Sequence, residues 1–380
     1  MDKQTPFNFD TYDLKEELDR LRGKVKKPNI LIAGATGSGK SSVVNHVFGR
    51  DLTKVAAGEP VTRGIHQFMS DEIAIVLYDS EGYEIGSARQ QAYADEVIGF
   101  VERAQTKGAA EQIHLVWYVI NASMKRVTPL DRALIKQLNE ATSVAVLLTQ
   151  IDQVDVDELA ALRQELVDVV PKEAVFQVSV ADELLHDPEL RAHLDWERLV
   201  TWSVEQLDHS LQEGLLMEIH AESEAMLKLK RKKANRIISG YVASAGTAAA
   251  VPLPFADAIA LTPIQVTMSV HLFRYWGVKA NDDMLKTLIG STIIPQIGRA
   301  LSKTILLNVM KFFPGANAAA SVINATVASG ITWAIGLAIN EVAYRNAMDS
   351  SKTIEQLLDS DFGSLFEKFM EQNPVTKNKS

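Results

Sequence analysis

Residues 30–42 read ILIAGATGSGKSS, an apolar run of β-forming side chains that passes directly into a glycine-rich loop and then into the amphipathic run SSVVNHVFG. Strand, loop and helix in that order predict an α/β fold, a doubly wound, mainly parallel sheet with helices on its faces. Within the loop, Gly34, Gly39, Lys40 and Ser41 fill the fixed places of GxxxxGK[ST], with Ala35, Thr36, Gly37 and Ser38 between them and Ser42 following. Glycines let successive backbone N–H groups turn toward a polyphosphate, and the helix behind the loop offers its positive N-terminal end. Lys40 is expected to reach the β and γ phosphates, and the Ser41 hydroxyl to meet a Mg²⁺ ion.

A second apolar run, IAIVLY at 73–78, ends on Asp79-Ser80-Glu81-Gly82, which fits DxxG. An Asp at that strand end can hold the magnesium shell, and the Gly82 N–H can meet a γ-phosphate. Between the two motifs lies the polar stretch EPVTRG at 59–64, in which Thr62 is placed to bring a hydroxyl to Mg²⁺ from a mobile loop. The expected machinery is therefore Lys40, Thr62 and Gly82 at the reacting phosphate, with Ser41, Thr62 and Asp79 as metal ligands.

Two later strands end in Thr149-Gln150-Ile151-Asp152 and in Ser179-Val180-Ala181. This order of motifs resembles the GTPase superfamily, whose base-reading motif is [NT]KxD and whose last motif is a small SA-type loop. The resemblance implies that Asp152 accepts hydrogen bonds from guanine N1 and N2, and that N–H groups beside Ser179 and Val180 meet O6. Adenine presents the opposite pattern on that edge, so a carboxylate there selects guanine. Gln150 stands where the family usually has a lysine over the base. Asp152 has a plainer reading as a helix cap, since VDVDELAALRQEL follows.

The TRG segment, the DxxG followed by an aromatic residue and the TQxD together resemble the Era, TrmE and septin branch over residues 27–205. In Ras-like members a glutamine after the DxxG glycine orients the attacking water, and here that place is Tyr83. The resemblance thus implies GTP and GDP as ligands, Mg²⁺ as cofactor, and low intrinsic hydrolysis whose water-positioning group is Glu81, His66, Arg63, a bound cation or a group from a partner. A homodimer through the GTPase domain is one form such a partner takes.

The chain has 380 residues, no cysteine and a net charge of −9. Its length implies more than one folding unit. Absence of cysteine excludes disulfides and thiolate metal sites, and the acidic balance argues against a general nucleic-acid surface. The acidic start MDKQTPFNFDTYDLKEEL is not a secretory signal, so a cytoplasmic location is expected. Boundaries are read as an N-terminal helix at 1–26, a GTPase domain at 27–205, a linker helix at 206–236, an apolar helical domain at 237–347, and an amphipathic helix with a polar tail at 348–380.

The linker, read as one helix over 207–236, ends in the basic cluster Lys228, Lys230, Arg231, Lys232, Lys233 and Arg236. This is either a solvated helix face or an attraction to anionic lipid. Residues 237–256 and 312–340 carry no charge and are long enough to cross a bilayer. Pro252 and Pro254 break the first run, and Asn324, Thr326, Ser329 and Thr332 interrupt the second, so a tightly packed bundle competes with insertion or peripheral association at the inner membrane face. Residues 236–345 resemble a helical domain without assigned chemistry found after Era-like GTPase domains in bacterial proteins. Three readings of the whole chain follow: a nucleotide switch acting on its helical domain, a dynamin-like or immunity-related membrane GTPase, and a ribosome-assembly GTPase.

Overall fold

A computed structural model describes residues 16, 20, 23–49, 58–62, 64–71, 73–84, 89–220, 223–248, 263–278, 282–297, 320–349 and 351–372. The chain divides into two compact units, Lys24–Met226 and the part from Leu227 onward, the latter grouped with the described residues up to Gly23. Most of the N-terminal helix expected at 1–26, together with Arg63, Pro252 and Pro254, lies outside the described residues.

The first unit is built on strands β1 (Asn29–Gly34), β2 (Gly58–Thr62), β3 (Ile65–Phe68), β4 (Val76–Ser80), β5 (Leu115–Asn121), β6 (Ser143–Thr149) and β7 (Val175–Gln177). They form one seven-stranded sheet in the order β2-β3-β4-β1-β5-β6-β7. Pairing is antiparallel for β2 with β3 and for β3 with β4, and parallel elsewhere. Helices α1 (Lys40–Phe48), α2 (Gln90–Gln105), α3 (Pro129–Ala141), α4 (Val156–Leu166), α5 (Trp196–Gln206) and α6 (His209–Glu218) accompany it.

Every residue of β1 is buried, as a central parallel strand covered on both faces requires. Alternate residues go to opposite sides. Leu31, Ala33, Val116 and Tyr118 join the core formed with α2 and α3. Trp117 faces the other way, stacks on Phe48 of α1 at 5.8 Å and donates from Nε1 to Ser203 Oγ of α5 at 3.2 Å.

Three differences from the sequence reading have local causes. Residues 59–62 of the stretch expected as a mobile loop at 59–64 lie in the edge strand β2. Their polar character suits an edge, and Pro60 is tolerated there, beside a register shift in the β2–β3 pairing. Strand β4 runs from Val76 to Ser80 rather than over 73–78, because Asn29 to Ile32 of β1 pair with Val76 to Asp79.

The single helix expected over 207–236 is two. Helix α6 ends at Glu218, Ile219 is extended, and the His220 N–H goes to Val47 O of α1 at 2.9 Å. Glu218, nearly buried, accepts from Ala74 N at 2.8 Å. Gly214 runs so close that a Cβ there would lie 2.5 Å from Ala74 O. Helix α6 is therefore part of the first unit.

The second unit contains α7 (Glu224–Ala248, whose first turn precedes it), α8 (Pro263–Tyr275), a helical segment Asp282–Thr287 that runs into a π-helical stretch Leu288–Ile293, α9 (Ala320–Met348) and α10 (Ile354–Gln372). Its helices touch closely: a Cβ on Gly336 of α9 would lie 2.7 Å from Ile238 Cγ2 of α7 and 3.1 Å from Met268 Sδ of α8. Polar residues in the apolar runs find partners inside the bundle. Gln265 Nε2 donates to Thr332 Oγ1 at 3.2 Å, and Trp276 Nε1 donates to Asn340 Oδ1 at 2.9 Å.

The basic cluster is also partly internal. Lys230 is 5% exposed beside the Tyr275 and Trp276 rings, and Arg231 pairs with Glu341 at 2.6 Å and lies over the Tyr344 ring. Those two residues serve packing, so the solvated-face reading does not describe them. Among the described residues, no helix is long and apolar enough to cross a membrane.

Candidate functional site

The phosphate loop is a set of backbone conformations that only glycine adopts cheaply. Gly34, Gly37 and Gly39 have φ of 141°, 74° and 95°, in the region that L side chains avoid. At Gly34 space is also missing, since a Cβ would lie 2.2 Å from Val119 O of the paired strand β5. Helix α1 starts immediately after Gly39 with no side-chain cap. Its first N–H groups thus have no side-chain acceptor within the loop, and an anion is their natural partner.

Lys40 bends back over the loop, and its Nζ donates to Gly34 O at 3.0 Å and Ala35 O at 3.1 Å. Burial pushes its pKa below the usual lysine value, with the charge of Asp79 opposing that shift. Asp79 is raised above the usual carboxylate range by burial, while Lys40 and His66 favour its ionised form. The end of β4 thus stands beside the loop, as the DxxG spacing predicts.

Gly82, at φ 82°, comes closer still: a Cβ there would lie 2.8 Å from Lys40 Nζ and 2.9 Å from Thr36 N. The loop and the DxxG segment are joined directly, Thr36 N donating to Tyr83 O at 2.9 Å.

At this end of the sheet three buried side-chain oxygens, Ser38 Oγ, Thr62 Oγ1 and Asp79 Oδ1, have no hydrogen-bond partner among the described residues. Leaving such groups unpaired is costly. A hydroxyl and a carboxylate are the hard oxygen donors that Mg²⁺ takes alongside water and phosphate oxygens. Thr62, at the end of β2, and Asp79, at position four of β4, therefore fit the expected metal site. Ser41, in the first turn of α1, is exposed and open to a ligand.

The opposite end of the loop is tied to the base motifs. Thr149 Oγ1 donates to Ser38 O at 2.6 Å. Gln150 takes the left-handed conformation, φ 54°, and its Oε1 accepts from Ser123 Oγ at 3.4 Å. Asp152 sits in a 3-10 turn, Ile151–Gln153, where its Oδ1 accepts from Ser179 Oγ at 2.5 Å. The cap of the following helix α4 is Asp155, in a capping box with Glu158, so the plainer reading of Asp152 as the cap does not hold.

Gly39, Ser42, Thr149, Gln150, Asp152, Ser179 and Val180 all line one cavity of about 290 Å³. Its remaining wall includes Trp196, a residue absent from the motif reading. Trp196 is buried, donates from Nε1 to Ser179 O at 3.2 Å and packs its ring 4.1 Å from that of His46. Its position, some way beyond the last motif, left no spacing by which to find it.

Tyr83 does not face the phosphate side. Its ring is 3% exposed and its Oη donates to Asp131 Oδ1 at 2.5 Å, with Tyr118 Oη donating to the same oxygen at 2.7 Å. Burial and the Asp131 charge drive the Tyr83 pKa far above the usual tyrosine value. A phenol held in this way cannot orient a water at the phosphate. Glu81 and His66 lie 4.0 Å apart on the outer side, 64% and 38% exposed.

Comparison with known proteins finds likeness in two regions of the chain. Residues 29–150 match the family model described as 50S ribosome-binding GTPase, and residues 217–366 match the one described as Domain of unknown function (DUF697). Cell division control protein 10 of Saccharomyces cerevisiae is 23% identical over 223 residues, 52% of this chain and 68% of that protein. The crystal structure of a probable GTP-binding protein engB aligns at 16% identity with a TM-score of 0.32, covering 49% of this chain and 99% of that chain. Residues 29–150 are thus similar to a GTPase family, and residues 217–366, largely helical where they are described, to a domain of unknown function.

Proposed function

We propose that the protein binds GTP and GDP with Mg²⁺, hydrolyses GTP slowly by in-line attack of water, and uses the cycle as a switch acting on its C-terminal helical domain. The observation that carries this reading is the convergence, at one end of the sheet, of the phosphate loop, the unpartnered oxygens of Thr62 and Asp79, and the Asp152–Ser179 pair. In this reading, N–H groups of residues 35–42 hold the phosphates and Lys40 turns from its own loop carbonyls to the β and γ oxygens. Asp152 reads the guanine edge, with Ser179 and Val180 beside O6. Ser41, Thr62 and Asp79 would hold Mg²⁺, which neutralises charge on the phosphates when bound.

Slow turnover follows from Tyr83. The residue in the place of a water-positioning glutamine is committed to Asp131. Coupling to the helical domain is proposed because α7 begins only a few residues after α6, which is packed into the GTPase unit through Glu218 and Gly214.

Calorimetric titration with GTP, GDP and ATP tests the base assignment, using the chain and its Asp152→Asn variant. The expected result is GTP and GDP binding without ATP binding, and transfer of the variant's preference to xanthosine nucleotides, whose edge presents an acceptor where guanine has a donor. ATP bound better than GTP would overturn it. Turnover per molecule that rises with protein concentration would show that the missing water-positioning group comes from a second copy.

A further inference from the structure

The contacts of the segment 81–83 go beyond the motif chemistry. It is fastened at three points: Glu81 N donates to Gly64 O at 2.8 Å, Thr36 N to Tyr83 O at 2.9 Å, and Tyr83 Oη to Asp131 Oδ1 at 2.5 Å. Between these points Gly82 lies against the backbone of the phosphate loop, leaving so little space that even a single added carbon would lie 2.9 Å from Thr36 N and 3.1 Å from Gly34 O. A γ-phosphate bound by both Lys40 and the Gly82 N–H has to occupy that space, whereas α and β phosphates lie over the loop itself. The arrangement therefore admits a nucleoside diphosphate and opposes a triphosphate until residues 82 and 83 move away.

Tyr83 cannot move with its backbone and keep its bond, because Asp131 is fixed. Asp131 is 5% exposed in the first turn of α3. Its Oδ2 accepts from Thr128 N at 2.9 Å and Thr128 Oγ1 at 2.7 Å, and its Oδ1 also accepts from Tyr118 Oη. Neither Asp131 nor Tyr118 belongs to any of the nucleotide motifs.

We infer that Asp131, acting through Tyr83, is a specificity-determining residue that sets the preference of this site between guanosine di- and triphosphate by holding the γ-phosphate side closed. The inference rests on the guanine-nucleotide reading above. Asp131 touches no substrate in this scheme and is a positioning residue. Opening the site breaks one buried bond to a carboxylate, so removing that bond beforehand lowers the cost of opening by the same amount.

Equilibrium titration of the full chain with Mg²⁺ and either GDP or a non-hydrolysable GTP analogue provides the test, comparing the wild type with Tyr83→Phe and Asp131→Asn. Tyr83→Phe keeps the ring and its packing and removes only the Oη contact. It is expected to raise affinity for the GTP analogue relative to GDP about tenfold, the lower end of what a charge-assisted buried bond supplies, with GDP affinity within about twofold of wild type. Asp131→Asn shifts the ratio the same way. If loss of the helix cap unfolds that variant, Tyr83→Phe alone decides. A ratio unchanged in Tyr83→Phe, or shifted toward GDP, overturns the inference while leaving the GTPase reading intact. A wild-type chain that binds neither nucleotide overturns the GTPase reading itself.

Discussion

Single residues in this site are chosen by what they cannot be. Gly34 ends β1 in register with Val119, and its missing Cβ is what lets the strand turn into the phosphate loop while keeping that register. Gly34→Ala is expected to destabilise the end of β1 by about 3 kcal/mol, since the added carbon meets a backbone oxygen that cannot step aside and φ is unfavourable. Amide hydrogen exchange at Leu31 to Ala33 checks this, and protection equal to wild type would contradict it. Tyr83 shows the complementary case. Its place in the motif was legible and its lack of an amide excluded one catalytic role. Where the phenol goes was not legible, because Asp131 lies 48 positions away and stands in no pattern with it.

At the scale of elements, local signals and pairing divide the work. Thr128-Pro129-Leu130-Asp131 carries a capping box and a proline at the first helical position, so α3 begins where its own sequence directs. β2 is the opposite case: it is a strand because β3 pairs with it, and its residues alone suggest a loop. The entry to β5 offers a test of element joining. His114 accepts from Asn29 N at 2.9 Å through Nδ1 and contacts Ala109 O at 2.9 Å through Nε2, which requires the neutral ring. Burial lowers its pKa in the folded protein, against the opposing effects of Ala109 O and the Asp208 charge.

The unfolded chain therefore binds a proton at His114 before the folded one does. The stabilisation is present above the usual imidazole pKa and is lost as pH falls through it toward the lower folded value. Thermal unfolding of the GTPase unit, followed at Trp117, is expected to shift down on acidification through that window, and His114→Gln should flatten this dependence. A variant with the same pH profile as wild type would show that the shift arises elsewhere.

For the whole molecule, charges in the apolar half act as ties between helices. Glu341 of α9 meets Arg231 of α7 at 2.6 Å and Arg345 at 3.1 Å, and Arg345 continues to Asp361 of α10 at 2.7 Å. The arginines are 43% exposed, so solvent screens part of this network. Glu341→Gln is expected to lower the stability of the helical unit by about 1–2 kcal/mol, with a smaller difference in high salt. Denaturation followed at Trp276 and Trp333 reads this, and a loss that salt leaves untouched would point to packing instead.

By itself the sequence determined the α/β class, the phosphate loop, the DxxG strand end, the turn that carries Gln150 and Asp152 and the change to an apolar helical half, because each depends on residues close together along the chain. Spacing in one dimension is enough for a loop to wrap an anion or for a strand to be buried. The tertiary structure decided that Lys40 folds onto its own loop, that Trp196 lines the cavity of Asp152 and Ser179, that Lys230 and Arg231 are built into a bundle, and that Asp131 holds Tyr83. Those contacts join elements far apart in the chain, and only the packing of sheet against helix selects which distant side chains meet.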